Sequence, residues 1–303
     1  MTKYAQLVMG SAGTGKSTYC QTIQEHCTNA RRSMRVGNLD PAAEVFKYSV
    51  EFDIRELISV DDVMDTMNLG PNGGLLFCME YLVDNIDWLE DQLDELAEDD
   101  YLLLDCPGQI ELYTHVPVFK RVADCLRSKG FNVCVVYCVD ATFVTDASKL
   151  IAGNLMALSA MVQLELPHVN LLTKCDLAEN KDELERFLSP SGNDLEAELA
   201  VNTPPKFRAL NVAFCRLLEE YDMVVFLPLD ITDEESIAAV LLQVDNAIAY
   251  GEELEPKEPR DFDEGEGGNE AEEGGWGVDG GGEEDGGEWE SGEAGAVDFE
   301  AQD

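Results

Sequence analysis

The octapeptide Gly10-Ser11-Ala12-Gly13-Thr14-Gly15-Lys16-Ser17 constrains the chain more than any other stretch. It lies between a short apolar run, Tyr4 to Met9, and a helix-compatible stretch, Thr18 to Cys27. G-x-x-x-x-G-K-[ST] therefore falls where its chemistry needs it, in a strand, tight loop and helix start. The glycines let successive backbone N–H groups turn onto phosphate oxygens, and the helix start adds its positive end. Lys16 is long enough to reach the outer phosphates, and the Ser17 hydroxyl suits Mg²⁺. Gly13, Thr14, Gly15, Lys16, Ser17 and Thr18 thus form a predicted cradle for a nucleoside phosphate.

A loop of this kind needs a sheet behind it. Met34 to Leu39 reads as a second strand, and four continuous apolar runs follow at Tyr101–Leu104, Val133–Val139, Val169–Leu172 and Met223–Leu227. Runs without polar alternation suit strands buried on both faces, and helical stretches at 147–165, 206–221 and 234–250 separate several of them. The expected fold is an α/β, doubly wound, mostly parallel P-loop sheet. Asp61 to Asn68 reads as a short helix, Leu69 to Gly74 as a loop, and Leu75 to Leu96 as one long amphipathic helix. Residues 178–206 read as a helical insertion, with short helices at Asn180–Leu188 and Asp194–Ala200.

Charge divides the chain. Between Glu252 and Asp303 there are 21 acidic and 2 basic residues, so −19 of the net −42 lies there. Rich in Gly and Glu, this segment is expected to be a disordered acidic tail on a folded body spanning 1–251. Its isolated aromatics, Trp276, Trp289 and Phe299, leave open an interaction tail or a solubilising extension. The body is acidic as well, which argues against direct contact with nucleic acid or an anionic membrane. Met1 leads at once into the first strand, which leaves no room for a signal peptide. No run approaches the roughly 18 uninterrupted apolar residues of a membrane span. Nine cysteines without C-x-x-C pairs, and three scattered histidines, suggest buried reduced thiols and no zinc site. A cytoplasmic location, extending to the nucleus, is expected.

Three further motifs sit at strand ends, where such sheets bind ligands. Asp105-Cys106-Pro107-Gly108 supplies a carboxylate for a Mg²⁺-bound water and, at Gly108, an N–H for a γ-phosphate. Thr173-Lys174-Cys175-Asp176 supplies a base reader. A carboxylate at Asp176 accepts from both guanine donors, N1–H and the exocyclic amine, while the Lys174 stem covers the ring. Its usual form is N-K-x-D, and Thr stands here for Asn. Asp40, ahead of Pro41, is either a site carboxylate or the cap of the next turn. Pro228-Leu229-Asp230 is placed to close the base pocket.

With Leu39-Asp40-Pro41-Ala42 and Gly70-Pro71-Asn72, these motifs resemble the GPN-loop GTPases over about residues 1–250. The tail is not part of that pattern. The resemblance implies Mg·GTP hydrolysed to GDP, and a dimer with itself or with a paralogous GPN-loop GTPase. Asn72, flanked by Gly70 and Pro71, would reach the partner's γ-phosphate region. It further implies a role in assembly and nuclear import of RNA polymerase II. No arginine follows the loop closely enough to act in cis, since Arg31, Arg32 and Arg35 lie past the first helix. Asp40, then Gln109, with Asn72 in trans, are the candidates to position water. Two alternatives are a non-catalytic, GTP-stabilised adaptor and an ATPase. The second is disfavoured by T-K-x-D and by Ser11, where related ATPases carry an extra Lys.

Overall fold

The six apolar runs become six of seven parallel strands. The structure, a computed structural model, describes residues 3–97, 100–141, 146–177, 184, 188, 192–220 and 224–251. The strands are β1 (Lys3–Gly10), β2 (Met34–Asn38), β3 (Val50–Asp53), β4 (Tyr101–Asp105), β5 (Phe131–Asp140), β6 (His168–Thr173) and β7 (Phe226–Pro228). They pair in the order β3-β2-β4-β1-β5-β6-β7. β1 therefore lies between β4 and β5, parallel to both. From there the chain winds to β2 and β3 on one side and to β6 and β7 on the other. In sheets of this kind ligands bind at that switch point, here beyond Gly10.

Ten α-helices lie among the described residues. They are α1 (Lys16–Asn29), α2 (Val60–Met67), α3 (Pro71–Asp84), α4 (Ile86–Asp94), α5 (Glu111–Thr114), α6 (Val118–Ser128), α7 (Ala147–Leu164), α8 (Gly192–Asn202), α9 (Arg208–Glu220) and α10 (Glu234–Ala247). Side chains on β1 alternate between two cores. Ala5, Leu7 and Met9 join residues of α3, α4, α6 and α7 on one face. Val8 joins Tyr19, Cys20 and Ile23 of α1 and Ile237, Val240 and Val244 of α10 on the other. Both faces are covered, which is why these strands read as unbroken apolar runs. The helices α8 and α9 pack together and onto α7, in a small separate cluster around Leu150, Leu195, Leu199 and Cys215.

Two sequence expectations change. The stretch 69–74 is only partly a loop, because Pro71 is the first residue of α3 and Gly70 its cap. Proline's fixed φ and missing N–H suit a first helical turn. The long helix at 75–96 is two helices, broken at Asn85, whose side-chain amide donates to the Tyr81 carbonyl at 2.8 Å. Asparagine competes with the helix ladder in this way. Separately, α7 is long and on average apolar enough to cross a membrane, although Ser148, Lys149, Asn154, Ser159 and Gln163 interrupt its apolar residues. Half of that helix is buried here, against α5, α6 and α9, so its apolarity serves the core. The edge strand β3, Val-Glu-Phe-Asp, carries no apolar run and is not legible as a strand. The helix expected at 180–188 and the tail expected at 252–303 lie outside the described residues, apart from Leu184 and Leu188. The chain divides into two units, Met1–Glu255 and Pro256–Asp303.

All nine cysteines are buried, and none is in a disulfide. At the amino ends of the strands, Arg32 holds Asp245 through two bonds of 2.6 and 2.8 Å. Its guanidinium lies 3.8 Å from the Tyr250 ring and 4.5 Å from that of Tyr101. The Gly251 N–H donates to the Tyr4 hydroxyl at 3.3 Å.

Candidate active site

The loop after β1 takes its shape from glycine. Gly10 has φ 135°, and a Cβ there would sit 2.3 Å from the Cys138 carbonyl oxygen. Gly13 and Gly15 have φ 78° and 89°, and Gly15 caps α1 in the left-handed region. Thr14 and Lys16 are buried, and both side chains donate to the Ser11 carbonyl, at 2.8 and 3.1 Å. Ser17 is exposed at the helix start and Thr18 is half-buried.

Two neighbouring strands bring carboxylates to this loop. Asp105 ends β4 almost fully buried and accepts hydrogen bonds from Ser17 and, at 2.8 Å, from Tyr48. Burial pushes its carboxyl up, against those two donors and the nearby Lys16 ammonium. Gly108, three residues on, touches the loop itself, since a Cβ would come within 2.8 Å of Ala12 Cα. Gln109 follows half-buried. Asp40 lies just past β2, and burial raises its carboxyl too, against the Ala42 N–H and Lys16. Its Oδ1 accepts from the Ala42 N–H at 2.9 Å. Asn38 brackets it, accepting from the Asp40 N–H at 3.0 Å and donating to the Asp40 carbonyl at 2.9 Å. The two readings of Asp40 are therefore compatible: one carboxylate oxygen caps the turn, and the charge still faces Lys16.

On the far side of β1, the Thr173 hydroxyl meets the Thr14 carbonyl at 2.6 Å and that of Val139 at 3.0 Å. A short hydroxyl thus ties the segment expected to read the base to the phosphate loop. Lys174 has φ 62°, and its ammonium pairs with Asp140 at 2.5 Å. Cys175 is buried, and its N–H donates to the Leu229 carbonyl at 3.3 Å, so Pro228-Leu229-Asp230 does adjoin Thr173–Asp176. Asp230 accepts from the Thr232 N–H and hydroxyl at 2.9 and 2.6 Å, so that carboxylate braces its own turn. Asp176 is half-buried beside Cys175.

A family model described as "Conserved hypothetical ATP binding protein" matches residues 8–250. GPN-loop GTPase 3 of Danio rerio is 54% identical over 269 residues, covering 87% of this chain and 94% of its own. The protein of the same name from Dictyostelium discoideum is 52% identical over 262 residues, covering 86% and 92%. The chain belongs to the GPN-loop GTPase family. The crystal structure of a GTPase in apo form from Pyrococcus abyssi shares the fold at TM-score 0.69 and 22% identity, covering 80% of this chain and 97% of that one.

In this GPN-loop GTPase the motif-borne residues Lys16, Ser17, Asp40, Asp105, Gly108 and Thr173 meet around the loop at 10–17. Asn72 does not join them. It stands exposed in the first turn of α3, which packs on α2, α4 and α6. Among the described residues no hydrogen bond ties its side chain to the loop at 10–17. Sequence reading misses Tyr48, Asn38 and Gln24, which fasten the segment between β2 and β3. They belong to no motif. Asn38 alone carries a signal, as a polar residue ending an apolar strand.

No group of three or more His, Cys, Asp or Glu able to hold a metal occurs among the described residues. What is present is a hydroxyl beside a buried carboxylate, Ser17 and Asp105. That sparse oxygen set fits Mg²⁺, which keeps several waters and takes its other ligands from substrate phosphates.

Proposed function

We propose that this GTPase binds Mg·GTP across the carboxyl ends of its strands and hydrolyses it slowly, as half of a dimer. The convergence of Lys16, Ser17, Asp105 and Gly108 on the loop at 10–17 carries the reading. Gly13 to Thr18 cradle the phosphates, and Lys16 leaves Ser11 for the outer ones. Ser17 and Asp105 would hold Mg²⁺, which when bound neutralises charge on the phosphate oxygens. Asp40 orients the attacking water with its second carboxylate oxygen, and Gln109 assists. Asp176 reads guanine, and Lys174, steadied by Asp140, covers the base.

Asn72 acts in trans, from a second copy or a paralogous GPN-loop GTPase. Its exposure, with Met67 and Leu69 also exposed just before it and Tyr81 further along the helix, supports that placement. Asn72→Ala is expected to lower single-turnover hydrolysis roughly 10- to 100-fold while GTP affinity stays within about twofold, since a polar group acting on the transition state contributes to turnover. Mixing the variant with a paralogous partner should restore only the site that receives the partner's Asn. A large affinity loss at normal turnover would remove Asn72 from this role.

The cellular reading rests on resemblance: an assembly factor for RNA polymerase II that accompanies it into the nucleus, with no direct contact to nucleic acid or membrane. Capture of the full chain in its GTP state, followed by identification of what comes with it, tests that assignment. Absence of polymerase subunits from the captured set would overturn it.

A further inference from the structure

The segment from Asp40 to Ser49 runs between two site groups and is fastened along its length. Near its start Arg55 donates to the Ala43 carbonyl at 2.7 Å and lies 4.5 Å over the Phe46 ring. Arg55 is itself held by Asp53, which also accepts from Asn38 at 2.8 Å. Phe46 packs on Tyr48 with ring centroids 5.4 Å apart. At the end, Gln24 of α1 clasps the Ser49 backbone twice, donating to its carbonyl at 3.0 Å and accepting from its N–H at 2.9 Å. These contacts fix one side chain in particular. Tyr48 is 7% exposed, and its hydroxyl donates to Asp105 Oδ2 at 2.8 Å.

We propose that Tyr48 is a positioning residue for the divalent cation, holding the Asp105 carboxylate so that metal affinity depends on how the Asp40–Ser49 segment is fastened. The proposal rests on the reading of Ser17 and Asp105 as the Mg²⁺ site. A carboxylate ending a strand still turns about two bonds. Two donors from different elements, Ser17 from α1 and Tyr48 from the segment, remove that freedom. Each carboxylate oxygen has two acceptor positions, so a donor on Oδ2 leaves room for a metal-bound water. Outer partners of this type orient the group that meets the metal, and their loss typically weakens metal binding 10- to 100-fold. The same bond makes Tyr48 a link in both directions. Displacing the segment that carries Asp40 pulls the donor off Asp105, and loading the metal braces the segment.

The test reads nucleotide release rather than turnover. The rate at which a fluorescent GDP analogue leaves the full-length protein is measured against free Mg²⁺. For Tyr48→Phe the half-saturating Mg²⁺ concentration should rise about tenfold, while affinity without Mg²⁺ stays within about twofold of wild type. Gln24→Ala, which keeps the phenol and loosens its support, should shift the midpoint the same way by less. If Tyr48→Phe does not fold, Gln24→Ala decides the matter alone. An unchanged or lowered midpoint overturns the proposal, and so does an equal loss of affinity with and without Mg²⁺. Ser17→Ala separates the two levels. It should abolish the Mg²⁺ dependence, and if the dependence persists, the metal site and the role of Tyr48 fall together.

Discussion

The two ends of the sheet are built on opposite electrostatic terms. At the amino ends, Arg32 meets Asp245 in a two-bond pair, both side chains 16% exposed, inside a frame of Tyr4, Tyr101 and Tyr250. At the carboxyl ends, half-buried Asp40 and buried Asp105 lie near one ammonium, that of Lys16, and desolvation pushes both carboxyls up. The first pairs its charges within the chain, with Arg32 Nε alone left buried without a hydrogen-bond partner in that pair. The second, on the function proposed above, is offset only when a bound cation arrives, so stability concentrates at one end and function at the other.

The largest expected departure from that division comes from Arg32→Ala. It leaves Asp245 buried without its partner, a change that typically costs about 3–5 kcal/mol. Thermal unfolding should show a drop on the order of 10 °C, with nucleotide affinity per folded molecule unchanged. A comparable loss of affinity would mean the two ends are not separable. Next is Asp176→Asn, which trades an acceptor for a donor where we propose guanine is read. Competition of ATP against labelled GTP should show preference for GTP falling by roughly 10- to 100-fold, the worth of a charge-assisted hydrogen bond. Undiminished preference would place base recognition elsewhere.

Asp105→Asn tests the carboxyl end directly. Removing a buried charge should raise the melting temperature of the nucleotide-free protein by about 2–4 °C. The same change should remove the stabilisation that Mg²⁺ adds to the GDP-bound form. A lower melting temperature without ligand would show that the carboxylate is already well satisfied.

The smallest effect concerns a weak point at the amino end. His168 donates from Nδ1 to the Leu166 carbonyl at 3.0 Å, and its Nε2 is buried without a partner. Burial lowers its pKa, so the folded chain resists the proton that the unfolded chain accepts. Its contribution is complete above the unfolded value near 6.5 and declines as pH falls toward the folded value. Melting temperature followed from about pH 7.5 to about pH 5 should decline, and His168→Gln should flatten part of that slope. An unchanged slope would assign the acid sensitivity to other groups.

Much of this division is readable in the residues. Continuous apolar runs such as Leu102–Leu104 report burial on both faces, and the phosphate loop locates the switch point before any coordinate is known. Local chemistry also explains Pro71, whose role as a helix start is visible once proline's geometry is considered beside Asn72. What stays hidden depends on contacts far apart in sequence. Tyr48 and Asp105 are separated by 57 residues, Thr173 and Thr14 by 159, and neither pair has a spacing rule. The substitution of Thr for Asn at position 173 looks like a weakened motif on paper. In the fold it is a hydroxyl of the right reach for the Thr14 carbonyl. Sequence reading also cannot separate an apolar helix that crosses lipid from one like Ala147–Leu164, which lies against other helices.

The bond from Gly251 to the Tyr4 hydroxyl has a topological consequence. It brings the first strand and the residues just after the last described helix side by side. A short linker joining residues 3 and 251, with new ends opened in the turn between Asn202 and Pro205, would preserve every strand pairing. The order in which the elements are synthesised would change, and their arrangement would not.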